Sequence, residues 1–277
     1  MREANRNLLV RLATAGIGTL VLILVINWHR TELWALGIQL AVVIGLVEFY
    51  WIVLREDPVW VRVAGVGLGL LLSSVLYWCP HSNALFGALI FVTLAAAVLH
   101  LVNIANIQTA AARIGLMLFG LLYVPVLLTP LALIKRLPDG SDWLFLLLTV
   151  TWFGDTGAYF VGRFLGKHKL SPIISPGKTV EGAVGGLLFN LLAALLAKLW
   201  YMPQLGWLDA LLISLPGGAL AQSGDLVESL IKRSYQVKDS GWIMPGHGGL
   251  LDRIDGLLFC TPYVYLYAMY IFRGGAG

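Results

Sequence analysis

Acids and bases crowd into two stretches of a chain that otherwise has few of either. The run "AQSGDLVESLIKR" places Gln222, Asp225, Ser229 and Lys232 at i, i+3, i+7 and i+10, on one helical face. After a polar loop, "LLDRIDG" carries Asp252 and Asp255 three apart, again on one face. Packed as a hairpin, the two segments would bring Asp225 towards Asp252. Carboxylates that converge repel one another unless a cation joins them. Mg²⁺ suits such hard oxygen ligands, because it takes one or two carboxylates together with substrate phosphates. The same acids could instead pair with Arg233 and Arg253 and merely hold the hairpin; spacing leaves both readings open. Between them lies "PGHGG", where glycines free the backbone to aim successive amides at one anion. Lys232, Arg233 and Lys238 add positive charge nearby. Acids, glycine nest and bases together describe a site for a polyphosphate with its Mg²⁺. His247 either donates to a phosphate oxygen or caps the turn.

The second stretch repeats the theme. "WFGDTGAYFVGRFLGKHKL" puts Asp155, Tyr159 and Arg163 at i, i+4 and i+8, and "SPGKTVEG" follows with Lys178 and Glu181. Asp155 reads equally as a catalytic group or as an ion-pair partner of Arg163. Glu48, inside "VVIGLVEFYWIV", is isolated in sequence and reads as a buried partner for an arginine.

The surroundings of these residues are apolar. The chain is 58% hydrophobic and 12% charged over 277 residues, with a mean hydropathy of +0.82. That describes a polytopic membrane protein rather than a soluble globule. Continuous apolar runs without period-two alternation argue for helices and against a barrel. An ionisable group at membrane depth costs a few kcal/mol or more, so each acid within a span is a functional candidate. Apolar periodicity and breakers predict an all-α chain of about nine spans, near 7–28, 33–54, 59–78, 83–102, 114–134, 143–165, 182–202, 208–230 and 250–272. Connectors such as "REDP", "CPHS" and "KRLPDG" carry the turn residues. The first span follows Arg2, Arg6 and Arg11 and reads as a retained signal anchor. Cys79 and Cys260 have neither disulfide nor metal-ligand spacing.

With the N-terminus cytoplasmic, the inside segments collect Arg2, Arg6, Arg11, Arg55, Arg62, Arg113, Arg163, Lys167, Lys169, Lys178, Lys232, Arg233, Lys238 and Arg253. Arg30, Lys135, Arg136, Lys198 and Arg273 remain for the other side. By the positive-inside rule this orients the chain and turns both polar loops, 166–181 and 231–249, to the cytoplasm. Residues 1–277 read as one transmembrane domain, with helices of 1–135 mainly a scaffold and 143–272 carrying the site.

The run "SLIKRSYQVKDSGWIMPGHGGLLDRID", 229–255, resembles the signature of the phosphatidate cytidylyltransferases (CDP-diacylglycerol synthases). Its pattern is met by Ser229, Lys232, Arg233, Lys238, Asp239, Gly241, His247, Gly248, Gly249, Asp252, Arg253 and Asp255. "GDTGAYFVGRFLGKHKLSPIISPGKTVEG" and "RLATA" are similar to further stretches of that family. Met244 stands where the signature usually has Leu, Ile or Phe. Gly177 and Val180 replace a basic and an aromatic residue. The resemblance implies transfer of a cytidylyl group from CTP to phosphatidic acid, releasing pyrophosphate, in a multi-pass protein of the cell inner membrane with its site facing the cytoplasm. It implies a Mg²⁺ centre on Asp225 and Asp252, with Asp255 and Asp239 as weaker ligands and K⁺ as a candidate companion ion. Lys178, Lys232, Arg233, Lys238 and Arg253 would hold the triphosphate and lipid phosphate. Ser229, His247, Gly248, Gly249, Asp155 and Arg163 complete the expected substrate contacts. No nucleic acid partner is expected, and a homodimer follows by analogy. A CDP-alcohol phosphotransferase would need an Asp-Gly-x-x-Ala-Arg run that is absent. A secondary transporter would place acids in both halves, whereas these crowd into the C-terminal half.

Overall fold

The structure, a computed structural model, describes residues 16, 18–79, 81–104, 106–241 and 248–272. Among them eight helices are long and apolar enough to cross a membrane. They are α2 (Thr31–Val53), α3 (Val59–Trp78), α4 (Ser82–Val102), α5 (Ile107–Ile134), α6 (Gly140–Leu165), α7 (Val180–Trp200), α8 (Trp207–Ser234) and α9 (Leu251–Ile271). A short apolar helix, α1 (Gly18–Asn27), falls inside the first expected span. Arg2, Arg6, Arg11 and the "RLATA" run lie outside the described residues. The chain is thus an all-α, multi-pass membrane protein, as its composition requires. Outward faces carry large apolar side chains such as Phe86, Leu101 and Leu199, which water would not tolerate but acyl chains do.

The structure departs from the sequence expectation in two places. α5 starts at Ile107 rather than near 114, because Asn106 caps it by accepting the amide of Gln108 at 2.9 Å. Arg113, which lowers the hydropathy of the opening two turns, is buried in an ion pair with Asp57 at 2.6 Å. The loop after α6 is not irregular either. It forms a hairpin of β1 (Lys169–Ser171) and β2 (Ser175–Thr179), antiparallel with Lys169 opposite Thr179 and Ser171 opposite Ser175.

α2, α3 and α5 pack around Phe49 and Tyr50, whose hydroxyl donates to the Met117 carbonyl at 2.9 Å. α6 to α9 form the other half, drawn together by small residues. Gly154 and Gly218 both face Asn190 of α7, and Gly157 faces Phe189. A side chain at any of these positions would collide, which is how small residues let membrane helices approach. The halves meet where Gly45 of α2 lies against Leu251 of α9. The α2–α3 turn, the hairpin and the α8–α9 loop share one end of the bundle. At the other end Arg136 donates to the Tyr77 carbonyl at 2.7 Å and Gln204 to Asp139 at 3.2 Å.

Candidate active site

A cavity of about 680 Å³ opens at the first of these ends, between α6, the hairpin, α7 and α8. Asp155, Tyr159 and Arg163 line it from α6, Lys178 from β2, and Gln222 and Asp225 from α8. Lys178 Nζ lies 2.6 Å from Asp225 Oδ2, tying the hairpin to α8 across the cavity. Ser229, one turn on, donates to Asp225 Oδ1 at 3.3 Å. Arg163 donates to the Tyr159 hydroxyl at 2.6 Å. Among the described residues no ion pair joins it to Asp155, since i and i+8 stand two turns apart. The "SPGKTVEG" run has a local logic. Thr179 caps α7 by accepting the Gly182 amide at 3.1 Å. Glu181 accepts the amides of Lys167 and His168 at 3.0 and 3.1 Å and meets His168 Nδ1 at 2.6 Å. Those contacts fix the exit of α6 against the start of α7 and so hold the hairpin over the cavity.

Beside the cavity, α8 and α9 run antiparallel in close register. Gly224 has no room for a side chain because the Asp255 carbonyl fills the space. That register sets Asp225 near Asp255 and brings Glu228 and Lys232 to Asp252. Lys232 Nζ lies 2.6 Å from Glu228 Oε2 and 2.5 Å from Asp252 Oδ1. All three side chains are nearly out of solvent, at 12%, 4% and 11% exposure, so one ammonium holds two acidic groups together away from water. The other oxygen of Asp252 accepts the amides of Ser240 and Gly249, both at 2.9 Å. Asp255, whose carbonyl lies against Gly224, the residue before Asp225, links this cluster to the cavity.

Comparison with known proteins shows the family of the chain. Residues 9–271 match the Cytidylyltransferase family. The chain belongs to that family. It is 50% identical over 126 residues to a phosphatidate cytidylyltransferase of Bacillus subtilis (strain 168), covering 46% of this chain and 47% of that protein. It is 47% identical over 124 residues to that of Staphylococcus saprophyticus, covering 45% and 48%. The match to that of Staphylococcus aureus (strain COL) is 45% over 125 residues, covering 45% and 48%. The chain thus matches about half the length of these curated relatives.

Against the family signature, the structure distributes the expected residues over two adjoining places. Asp155, Arg163, Lys178 and Asp225 share the cavity, with Ser229 beside Asp225. Lys232, Asp252, Gly248 and Gly249 form the neighbouring cluster, and Asp255 lies between the two. Gly248 has φ +82°, a conformation open to glycine at little cost. Arg233 spends its guanidinium on the carbonyls of Ile174 and Val237 at 3.4 and 3.3 Å, while Lys238 and Arg253 are exposed. His247 and Met244 lie outside the described residues. Gly177 lines the cavity with open space around it, so its departure from a basic residue leaves that rim wider and less charged. One residue, Glu228, escapes the sequence reading, and another, Glu48, is given the wrong partner there. Glu228 stands four before Lys232 and is its partner. Contrary to the expectation of an arginine partner, among the described residues no arginine pairs with Glu48: its carboxylate accepts the amides of Leu250 and Leu251 at 2.8 and 2.9 Å.

Proposed function

We propose that this chain transfers the cytidylyl group of CTP to phosphatidic acid, forming CDP-diacylglycerol and pyrophosphate. The observation that carries the reading is the pairing of Lys178 with Asp225 and of Lys232 with Asp252 in the two stretches that match the family, one at the cavity and one beside it. The names of the relatives support the same substrates. In the reaction a phosphate oxygen of the lipid bonds to the α-phosphorus of CTP. The α–β bridging P–O bond breaks, and its electron pair leaves with pyrophosphate. A phosphate monoester is already anionic near neutral pH, so no strong base is required. Positioning and charge neutralisation are what the protein must supply.

The lysines suit that task. Each now rests on a carboxylate and can exchange that partner for a phosphate oxygen when substrate enters. Lys178 and Arg163 face the cavity, and Lys232 stands behind it. A cavity of about 680 Å³ is within the range of small-ligand sites. Tyr159, Phe160 and Phe164 are exposed at the end of α6, a surface past which a lipid can reach the cavity from the leaflet.

The donor set fits Mg²⁺ delivered with the nucleotide. Among the described residues no three Asp, Glu, His or Cys side chains are grouped to hold a metal unaided, and Mg²⁺ commonly needs only one or two carboxylates when phosphates and water complete its shell. Asp225 and Asp255 would hold it, with Asp252 as a further candidate ligand. The ion would neutralise charge on the transferring phosphoryl group. The gathering of Lys and Arg at this end of the bundle supports an orientation with the site on the cytoplasmic side of the cell inner membrane.

The test is pyrophosphate release by purified protein in detergent. Release that needs CTP, phosphatidic acid and Mg²⁺ together supports the reading. Release from CTP alone, or none from folded protein, overturns it.

A further inference from the structure

The last helix begins without a cap of its own. The residues leading into α9 are Gly248, Gly249, Leu250 and Leu251, and none offers a side-chain acceptor. The first amides of a helix have no partner inside it, and at membrane depth an unpaired amide is costly. Here the acceptors come from α2, some 200 positions earlier in the chain. Glu48 Oε1 accepts the Leu250 amide at 2.8 Å. Its Oε2 accepts the Leu251 amide at 2.9 Å and the Ser240 hydroxyl at 3.2 Å. Ser240 Oγ in turn accepts the Asp252 amide at 3.3 Å. A carboxylate at this place also meets the positive end of the helix dipole. Glu48 is 3% exposed, so these partners stand in place of water.

The same carboxylate crowds two glycines, at Gly249 together with the Ser240 hydroxyl. A side chain at Gly241 would start 2.6 Å from Glu48 Oε1 and 2.9 Å from its Cγ. One at Gly249 would start 2.7 Å from Glu48 Oε2. The middle of the α8–α9 loop, at Ser240 and Gly241, and its α9 end therefore close on Glu48, and Asp252 hangs from the turn that Glu48 begins.

We propose that Glu48 is a positioning residue of the active site. From α2 it fixes the first turn of α9 and the loop residues Ser240, Gly241 and Gly249, and through them the place of Asp252, the partner of Lys232. The inference rests on the transferase reading for the chemistry of the site it positions, and on geometry for the rest.

The experiment compares Glu48→Gln, Gly241→Ala and the double variant Glu48→Asp/Gly241→Ala with the unaltered full chain in detergent. It reads the KM for CTP from pyrophosphate release, and amide hydrogen exchange across 249–266. Glutamine presents an NH₂ where one amide needs an acceptor. Glu48→Gln should therefore speed exchange in the first turn of α9 by about tenfold and leave residues 257–266 unchanged. The KM for CTP should rise about fivefold. Fewer folded molecules would lower kcat alone and leave KM in place. Gly241→Ala should raise KM as well, and the shorter aspartate should recover part of that rise. A KM within about twofold of normal in both single variants, or unaltered exchange in Glu48→Gln, overturns the proposal. If the unaltered chain releases no pyrophosphate, the transferase reading falls. Exchange then decides alone: acceleration confined to the first turn supports Glu48, and unaltered exchange overturns it.

Discussion

Lys232 of α8 and Asp252 of α9 are joined at 2.5 Å, and the same ammonium lies 2.6 Å from Glu228. One cation thus holds two carboxylates away from water. Removing one partner from a buried pair leaves an uncompensated charge, a loss of about 3–5 kcal/mol. Lys232→Met should therefore cost both stability and turnover. Glu228→Gln leaves the Lys232–Asp252 contact in place and should keep the fold while lowering kcat/KM about tenfold. Thermal unfolding in detergent beside turnover separates the two effects.

Lys178 and Asp225 make the opposite case. Their side chains are 27% and 38% exposed, and a partly solvated pair contributes about 0–1 kcal/mol at most. Lys178→Ala should leave the unfolding temperature almost unchanged. In the proposed reaction it removes a preorganised cation from the transferring phosphates, a change that commonly costs about 10²–10³ in kcat. A stable but nearly inactive variant is the expected result. Retained turnover would place the phosphates elsewhere.

Asp57 and Arg113 form a second buried pair at 2.6 Å, with 0% and 7% side-chain exposure. His100 and Asn103 stand at 3.8 and 3.4 Å from the same carboxylate. This cluster locks the α2–α3 turn to α4 and α5. Arg113→Met alone should destabilise the chain by about 3–5 kcal/mol. The double variant Asp57→Asn/Arg113→Met should recover much of that, because no charge is then stranded. Turnover per folded molecule should change little in either, since neither residue lines the cavity. A denaturation series on the four-member cycle reads the coupling directly.

Much of this architecture is legible in the sequence, for stated physical reasons. Spans are legible because a bilayer demands long apolar runs. Lys178, Asp225, Lys232 and Asp252 stand out because charge at membrane depth must be compensated. The hairpin at 169–179 is not legible: its strands are three and five residues long, Pro172 follows the first and Pro176 interrupts the second, so no period emerges. The start of α5 is hidden because Arg113 depresses the local hydropathy while its partner Asp57 is 56 positions away. Glu228 has a local trace, being four residues before Lys232. Glu48 has almost none, because its partners are backbone amides some 200 positions distant. The one clue is negative: a final helix opening on two leucines with no cap.

The measurement that tests the central claim most directly is the fate of label from CTP. Purified protein is given phosphatidic acid and Mg²⁺ with CTP labelled at either the α or the γ phosphorus, and the lipid is extracted. The account predicts α label in the lipid and γ label only in pyrophosphate, with both transfers lost in Asp225→Asn. γ label entering the lipid would make the chain a lipid kinase and contradict it. Absence of both labels from the lipid would contradict it as well.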